Sequence, residues 1–171
     1  MNASREPLRP ATLLGIAALV VLASIVAYLL LRPSAESQIR SALVHTLEAV
    51  SAKTGDTPIS RVARIRGVFA DTMTEFVHVH VAELGVDVTG RTKLADAAVH
   101  AGLAYQDAHV DLLRCDVTID PAKQNAQVEA TVIVRGQRGG SERLEQRDLH
   151  AVFRHEDGWR ISSIQVSAKS P

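Results

Sequence analysis

The sequence predicts an α+β fold: an N-terminal transmembrane helix followed by one small domain in which helices pack on one face of a mostly antiparallel sheet. Three observations support this prediction. An apolar, uncharged run occupies residues 11–31. The next part of the chain has apolar residues at helical spacing, and from residue 108 onward apolar and polar residues alternate between turn signals. Helices followed by a run of strands are typical of α+β domains.

Residues 11–31 have the length and composition of a membrane anchor. The run contains 21 residues without a charge or a proline. As a helix it would span about 31 Å, close to the ~30 Å hydrocarbon core of a bilayer. A cleaved signal peptide has an apolar region of only ~7–15 residues, so we expect this helix to be retained. The predicted organisation is a short cytoplasmic tail at 1–10, an anchor at 11–32 and a domain at 33–171.

The residues that flank the anchor predict the side of the membrane on which the domain lies. Arg5, Arg9 and the amino terminus precede the helix, and a short N-terminal tail ordinarily stays in the cytoplasm. We expect a single-pass protein of a bacterial inner (plasma) membrane, with a periplasmic or extracellular C-terminal domain. The formal net charge of the chain is zero, which argues against a nucleic-acid partner.

Two amphipathic helices are predicted after the anchor. The first has Ser34 as its N-cap and runs for about five turns, to a stop near Lys53 and Gly55. The second helix is shorter and is predicted to be capped by Ser60. The apolar positions are Ile39, Leu43, Leu47 and Val50 in the first helix and Val62, Ile65, Val68 and Phe69 in the second, with Arg61, Arg64 and Arg66 on its polar side.

The periodicity changes from helical to alternating at residues 75–81. This change predicts a strand with valines on one face and Phe76, His78 and His80 on the other. Gly90 ends a turn before a helix predicted at 91–105, whose inward positions are Leu94, Ala97, Ala98, Ala101 and Ala104. Four strands follow at about 108–120, 126–136, 142–155 and 159–167, the last two joined by a tight Asp157-Gly158 turn.

Two segments resemble a known family: the C-terminal hairpin at 148–161, with Trp159 and Ile161 as predicted core residues, and the helix entry at 88–91 (Val-Thr-Gly-Arg). With the order of elements over 34–166, they resemble the nuclear transport factor 2-like superfamily, which includes ketosteroid isomerases and SnoaL-like polyketide cyclases. The resemblance implies a cone-shaped domain of helices packed on a curved sheet, with one apolar-lined mouth. Such a cone suits a small apolar ligand or a protein partner that fills the opening.

An isomerase-like site would need a carboxylate base in an apolar pocket and a donor for the enolate oxygen. By residue type the candidates are Asp111 or Asp148 as the base, Tyr105 as the donor, and His109 or His150 as alternative bases. None of these positions matches a catalytic motif of the family. The alternative is that they belong to the solvated, ion-paired face of a one-sided sheet. The pairs expected there are Asp111 with Arg114, Glu145 with Arg147 and Asp148 with Arg154.

Two further side-chain groups are candidates for chemistry. His78 and His80 lie on one strand face about 7 Å apart, and a metal ion there would need a third ligand such as His100 or His109. No metal-binding spacing supports such a site, so an exposed strand face is favoured and no metal or other cofactor is expected. The single cysteine, Cys115, is interpreted as a small buried hydrophobe rather than a catalytic thiol.

These observations favour a membrane-anchored, extracytoplasmic binding or scaffold domain without catalysis. One alternative is a small-molecule isomerase or cyclase that uses the cone pocket. Another is an inner-membrane subunit of an envelope or secretion assembly, because one subunit of bacterial type IV secretion systems has a similar layout of a single anchor followed by this fold. A fold does not by itself decide between these functions.

Overall fold

The computed structural model describes Val20 and residues 33–53, 55–104, 106–138 and 141–168, without the side chains of 102–107 and 137–142. The chain divides into two units, Met1–Ser34 and Ala35–Pro171, and the second unit contains the folded domain. Apart from Val20, the predicted anchor at 11–31 lies outside the described residues. Among the helices that are described, none is both long and apolar enough to cross a membrane.

The described part of the second unit contains three α-helices and six strands. In chain order they are α1 Ala35–Val50, α2 Pro58–Thr72, β1 Met73–Val81, a 3₁₀ turn Ala82–Leu84, β2 Val86–Thr89, α3 Arg91–Ala104, β3 Gln106–Ile119, β4 Asn125–Arg138, β5 Ser141–His155 and β6 Trp159–Ala168. The sheet order is β2-β1-β6-β5-β4-β3. Neighbouring strands are antiparallel except β1 and β6, which run parallel. The prediction of an α+β fold with a mostly antiparallel sheet is confirmed.

The alternation of side chains gives the sheet an inner face, covered by the helices, and an outer face. On β4, Val128 and Ala130 are buried on the inner face, whereas Gln127 and Glu129 are exposed on the outer face. Irregularities in the strand register, such as the extra residue Leu113 in β3, bend the sheet. The core between the helices and the inner face includes Ile39, Leu43, Ile65, Phe69, Met73, Val77, Cys115, Phe153 and Ile161.

The start of β6 contributes two of the predicted core residues. Trp159 is 6% exposed and Ile161 is fully buried. The indole of Trp159 packs edge-on against the ring of His155, with 5.1 Å between the ring centroids. The hairpin between β5 and β6 closes with the Glu156 N–H donating to the Gly158 carbonyl at 2.9 Å. Local turn chemistry therefore sets the register of the first residues of this strand pair, and the register shifts by one residue between Phe153 and Val152.

Helix α1 ends at Val50, about one turn before the stop predicted near Lys53. The chain leaves the helix because the next residues bond to β3. The Ala52 N–H donates to the Ala108 carbonyl at 2.6 Å, and the Ser51 hydroxyl accepts a hydrogen bond from the backbone of β3 at 3.0 Å. The contact with β3, and not the residues near Lys53, thus determines where α1 ends.

Thr57, and not Ser60 as predicted, is the N-cap of α2. The Thr57 hydroxyl accepts from the Ser60 N–H at 3.1 Å, and the Ser60 hydroxyl accepts from the Thr57 N–H at 2.9 Å. These reciprocal bonds form a capping box in which Ser60 occupies the third helical position. Pro58 follows the cap, where the missing N–H of proline costs no helical hydrogen bond.

Arg64 departs from the prediction that it lies on a solvated face of α2. Its guanidinium donates to the carbonyls of Ala49 and Ser51, at 3.3 and 2.9 Å, and forms an ion pair with Asp56. The two side chains of this pair are only 18% and 17% exposed. Arg64 therefore ties the end of α1, the following turn and α2 together, a role that its position on the helix did not indicate.

Two other segments differ from the predictions. Strand β2 has no counterpart among the predicted strands, because its four residues form a strand only by pairing with β1. Helix α3 buries Ala95, whereas Ala97 and Ala101, which were predicted to face inward, are exposed. An alanine-rich helix has no strong apolar stripe, so its contacts with the sheet decide which side is buried.

Candidate apolar binding site

A cavity of about 190 Å³ lies between the helices and the inner face of the sheet. All three helices contribute to it, and so do strands from the middle of the sheet. Its described lining consists of Leu43, Thr46, Leu47, Val50, Phe69, Met73, Val79, Leu94, Ala98, Val128, Ala130, Leu149, Ala151, Ile164 and Val166. Among these residues there is no carboxylate, imidazole, amine or thiol. This lining is suited to contact with apolar groups.

Small side chains on three elements leave room for the cavity. On the sheet, Ala130 pairs with Leu149 and Ala151 pairs with Val128, so a small residue lies opposite a larger one twice in succession. Ala98 contributes from α3. These alanines were not among the candidate site residues predicted from the sequence. Alanine is uncommon in strands, and its recurrence at inward positions of β4 and β5 is the signal that could have indicated a cavity.

Thr46 is the only residue of the described lining with a polar side chain, and its hydroxyl is directed away from the cavity. The hydroxyl donates to the Ala42 carbonyl at 2.8 Å and lies 2.9 Å from the hydroxyl of Thr72. Thr72 in turn donates to the Val68 carbonyl at 2.8 Å. Within the described lining, no nitrogen or oxygen atom contributes to the cavity surface. Thr46 therefore presents its methyl group to the cavity.

The two carboxylates considered as catalytic bases lie on the outer face of the sheet. Asp148 accepts a hydrogen bond from the Thr131 hydroxyl at 2.9 Å. Asp111 is exposed and forms an ion pair at 2.6 Å with Arg135 of β4, not with Arg114. Side chains on opposite faces of a sheet point away from each other, and neither carboxylate lines the apolar cavity.

The other residues considered for catalysis are also outside the described lining of the cavity. His150 is half-buried on the outer face, opposite Glu129 of β4, and His109 is exposed near the start of β3. The side chain of Tyr105 lies outside the described residues. The structure thus brings Asp148 and His150 together, but places Asp111 and His109 elsewhere on the outer face.

Asp148 and His150 border a depression of about 470 Å³ on the outer face. Two of the charged side chains that line it form an ion pair, and one carboxylate accepts from a neutral hydroxyl. Arg114 forms an ion pair with Asp116 at 2.5 Å, and Asp148 is bonded to Thr131. Of the predicted ion pairs, Glu145 with Arg147 is present at 2.6 Å, but the strand register puts both side chains on the inner face, opposite Val134 and Val132.

His78 and His80 both bond to Asp87 of the edge strand β2. The Asp87 carboxylate accepts from Nε2 of His78 at 3.0 Å and from Nδ1 of His80 at 3.1 Å, while Nδ1 of His78 accepts from the Thr89 hydroxyl at 3.0 Å. Neutral imidazoles satisfy all of these bonds. These side-chain contacts link strand β2 to strand β1.

The third metal ligands considered for this pair lie on other elements of the fold. His109 is on β3, four strands from β1 in the sheet order, which corresponds to about 19 Å at ~4.8 Å per strand. His100 is exposed on α3, which packs against the inner face. In the part of the chain that the structure describes, no three His, Cys, Asp or Glu side chains are arranged to hold a metal ion.

Cys115 is a core residue of β3, 7% exposed. Burial raises the pKa of its thiol, with smaller opposing and reinforcing effects from nearby Arg40 and Asp116. A raised pKa disfavours the thiolate, which is the reactive form of cysteine. The environment of Cys115 therefore matches its interpretation as a small buried hydrophobe.

Comparison with known proteins gives no match to any protein-family model or curated protein, whereas many solved structures share the fold. A nuclear transport factor 2-like superfamily protein from Salmonella enterica superimposes with a TM-score of 0.64 at 12% identity, covering 80% of this chain and 92% of its own. The fold is that of the nuclear transport factor 2-like proteins. A protein with a cystatin-like fold from Caulobacter vibrioides gives a TM-score of 0.60 at 16% identity, covering 78% of this chain and 89% of its own.

Several of the similar structures are enzymes by their names. One of them is the hexachlorocyclohexane dehydrochlorinase LinA-type3 from Novosphingobium barchaimii, with a TM-score of 0.63 at 14% identity, covering 78% of this chain and 85% of its own. At this identity the likeness shows the nuclear transport factor 2-like fold alone. The activity of such a neighbour depends on its own site residues and does not follow from the shared fold.

Proposed function

We propose that this domain binds a small apolar molecule in the cavity between the helices and the sheet, and does not convert it. The observation that carries the proposal is the separation of the two faces. The inner face offers an apolar cavity of about 190 Å³. The described carboxylates and imidazoles considered for catalysis, such as Asp148 and His150, are on the outer face.

This separation bears directly on the enzyme alternative. A general acid or base must come within hydrogen-bond reach, about 2.6–3.2 Å, of the atom that it protonates or deprotonates. The side chains of Asp111 and Asp148 lie across the sheet from a ligand in the cavity and are bonded to Arg135 and Thr131. The described lining therefore supports binding by burial of apolar surface, since it contains no titratable side chain.

The site of action that we propose is the outer surface of a bacterial inner membrane. The apolar run at 11–31 would hold the domain there, as the anchor of a single-pass protein. Apolar molecules partition into bilayers, so a tethered domain with an apolar cavity would meet its ligand at the membrane surface. A protein partner that fills the cavity is the competing function.

A matched pair of substitutions on α3 tests the proposal. Ala98 lines the cavity, whereas its neighbour Ala97 is exposed. Toluene, titrated into the full chain in lipid nanodiscs, should raise the unfolding temperature, since a ligand at 100 times its Kd stabilises the folded state by about 2.7 kcal/mol. The Ala98→Leu variant should lose this effect because the larger side chain fills the cavity. The Ala97→Leu variant should keep it.

Variants on the outer face of the sheet test whether that face takes part in ligand binding. Asp148→Asn and His150→Ala should leave toluene stabilisation unchanged, because both side chains lie on the other face of the sheet. Loss of the stabilisation in either variant would show that the outer face takes part in the site. Equal toluene effects in Ala98→Leu and in the unmodified chain would overturn the proposed cavity as the binding site.

A further inference from the structure

The volume of the cavity limits the size of its ligand. An apolar cavity of about 150 Å³ takes a benzene molecule, whereas pockets for drug-sized ligands have about 300–1,000 Å³. At about 190 Å³, this cavity lies just above the first of these sizes and well below the second. It can enclose one substituted ring or a short branched chain, and a molecule of several fused rings is too large to be enclosed by it.

The orientation of Thr46 limits the polarity of the ligand. Its hydroxyl hydrogen is used within the helices, since the group donates to Ala42 and lies beside the Thr72 hydroxyl. The rest of the described lining is hydrocarbon and the sulfur of Met73. A hydroxyl or a charge on the buried end of a ligand would lose its hydration without gaining a partner from the described lining.

We infer that the cavity takes an uncharged, hydrocarbon-like molecule of about one ring, without a hydrogen-bonding group at its buried end. This inference rests on the proposed function and adds the chemical class of the ligand. Shape and apolar contact select the ligand, and the small side chains of Ala98, Ala130 and Ala151 are part of the lining that defines this shape. Within the described lining, hydrogen bonding contributes nothing to the selection.

Three probes test this inference on the full chain in lipid nanodiscs, with methyl-labelled leucine and valine observed by NMR at measured free probe concentrations. Toluene should shift the methyl signals of Leu43, Leu149 and Val166. Phenol, nearly the same size, should bind about 100-fold more weakly, because a hydrophobic pocket discriminates against an added hydroxyl by roughly this factor. Pyrene, with four fused rings, should leave these signals unshifted.

Each probe has an outcome that would overturn one part of the inference. The Ala97→Leu variant, whose substitution lies at an exposed position of α3, is the control and should keep the preference for toluene over phenol of the unmodified chain. Phenol binding as tight as that of toluene would overturn the polarity that we infer. Pyrene shifts at these methyls would overturn the size.

Failure of the inference and failure of the proposed function give different results. A polar or larger probe whose binding is lost in Ala98→Leu and retained in Ala97→Leu would overturn the ligand class while supporting the cavity as the site. Methyl signals that none of the three probes shifts would overturn both, because toluene fits the cavity as described.

Discussion

The Arg64 guanidinium donates to both carboxylate oxygens of Asp56, at 2.5 and 2.6 Å. The same guanidinium also donates to two carbonyls at the end of α1. One side chain thus satisfies helix-end acceptors and a carboxylate together, as the planar, forked donor group of arginine allows. This group therefore links the end of α1, the following turn and α2.

Replacement of Arg64 by lysine should destabilise the domain although the charge is kept. Lysine cannot reach Asp56 and the carbonyls of Ala49 and Ser51 together. Leaving such acceptors without donors costs about 1–3 kcal/mol. Arg66→Lys is the control, because its pair with Asp96 is exposed and should contribute little. Equal urea midpoints for the two variants would contradict the role assigned to Arg64.

The Asp56–Arg64 pair should make stability depend on pH in the acid range. The hydrogen bond from Arg64 lowers the pKa of Asp56 from 3.8 to about 2 in the folded chain, against the opposing effect of burial. A lowered folded-state pKa stabilises at pH values above 3.8, and the contribution is lost as pH falls toward 2. The unfolding temperatures of the unmodified chain and of Asp56→Asn should therefore converge over this range. A difference that stays constant from pH 5 to pH 2 would argue against the pair as the cause.

Trp159→Ala should cost about 3–5 kcal/mol of unfolding free energy, as for a large aromatic residue lost from a core. Trp159 is buried at the start of β6 and packs against His155. Gln165→Ala, at an exposed position of the same strand, should change stability by less than about 0.5 kcal/mol. Chemical unfolding of the full chain measures both values. A Trp159→Ala midpoint equal to that of the unmodified chain would be inconsistent with the core position.

Zinc should not bind tightly at His78 and His80. Both imidazoles bond to Asp87, and His78 also bonds to Thr89, so a metal ion would have to displace these contacts. Calorimetric titration of the full chain with zinc should give the same result for the unmodified protein and for the His78→Ala, His80→Ala double variant. A sub-micromolar site that disappears in the double variant would refute this expectation.

The predicted location can be tested by fusing alkaline phosphatase after Pro171. If the run at 11–31 is a retained anchor with the domain outside the cytoplasm, bacterial cells should show phosphatase activity in the membrane fraction. Activity in the soluble fraction would indicate cleavage of the anchor. An inactive fusion that is nevertheless present in the membrane would indicate the opposite orientation.

Features that depend on near neighbours in the chain were predictable from the sequence. The alternation at 75–81 assigned Phe76, His78 and His80 to one face of β1, and the Asp157-Gly158 turn fixed where the last hairpin reverses. The apolar stripes of α1 and α2 likewise identified Ile39, Leu43, Ile65 and Phe69 as buried. In each case the hydrophobic periodicity or the turn chemistry involves only a few consecutive residues, so it can be recognised in the sequence without knowledge of the fold.

The tertiary structure alone decided the features that join distant segments. Strand β2 forms only by pairing with β1. Helix α1 ends where the Ala52 N–H bonds to β3, and the Arg64 side chain pairs with Asp56 instead of facing solvent. Ala98, Ala130 and Ala151 from three elements line the cavity, and the sheet places Asp148 and His150 on its other side. Residue types and spacings determined the elements and the faces of the strands. Which faces meet, and what space remains between them, follows from packing across the whole domain, which no local pattern contains.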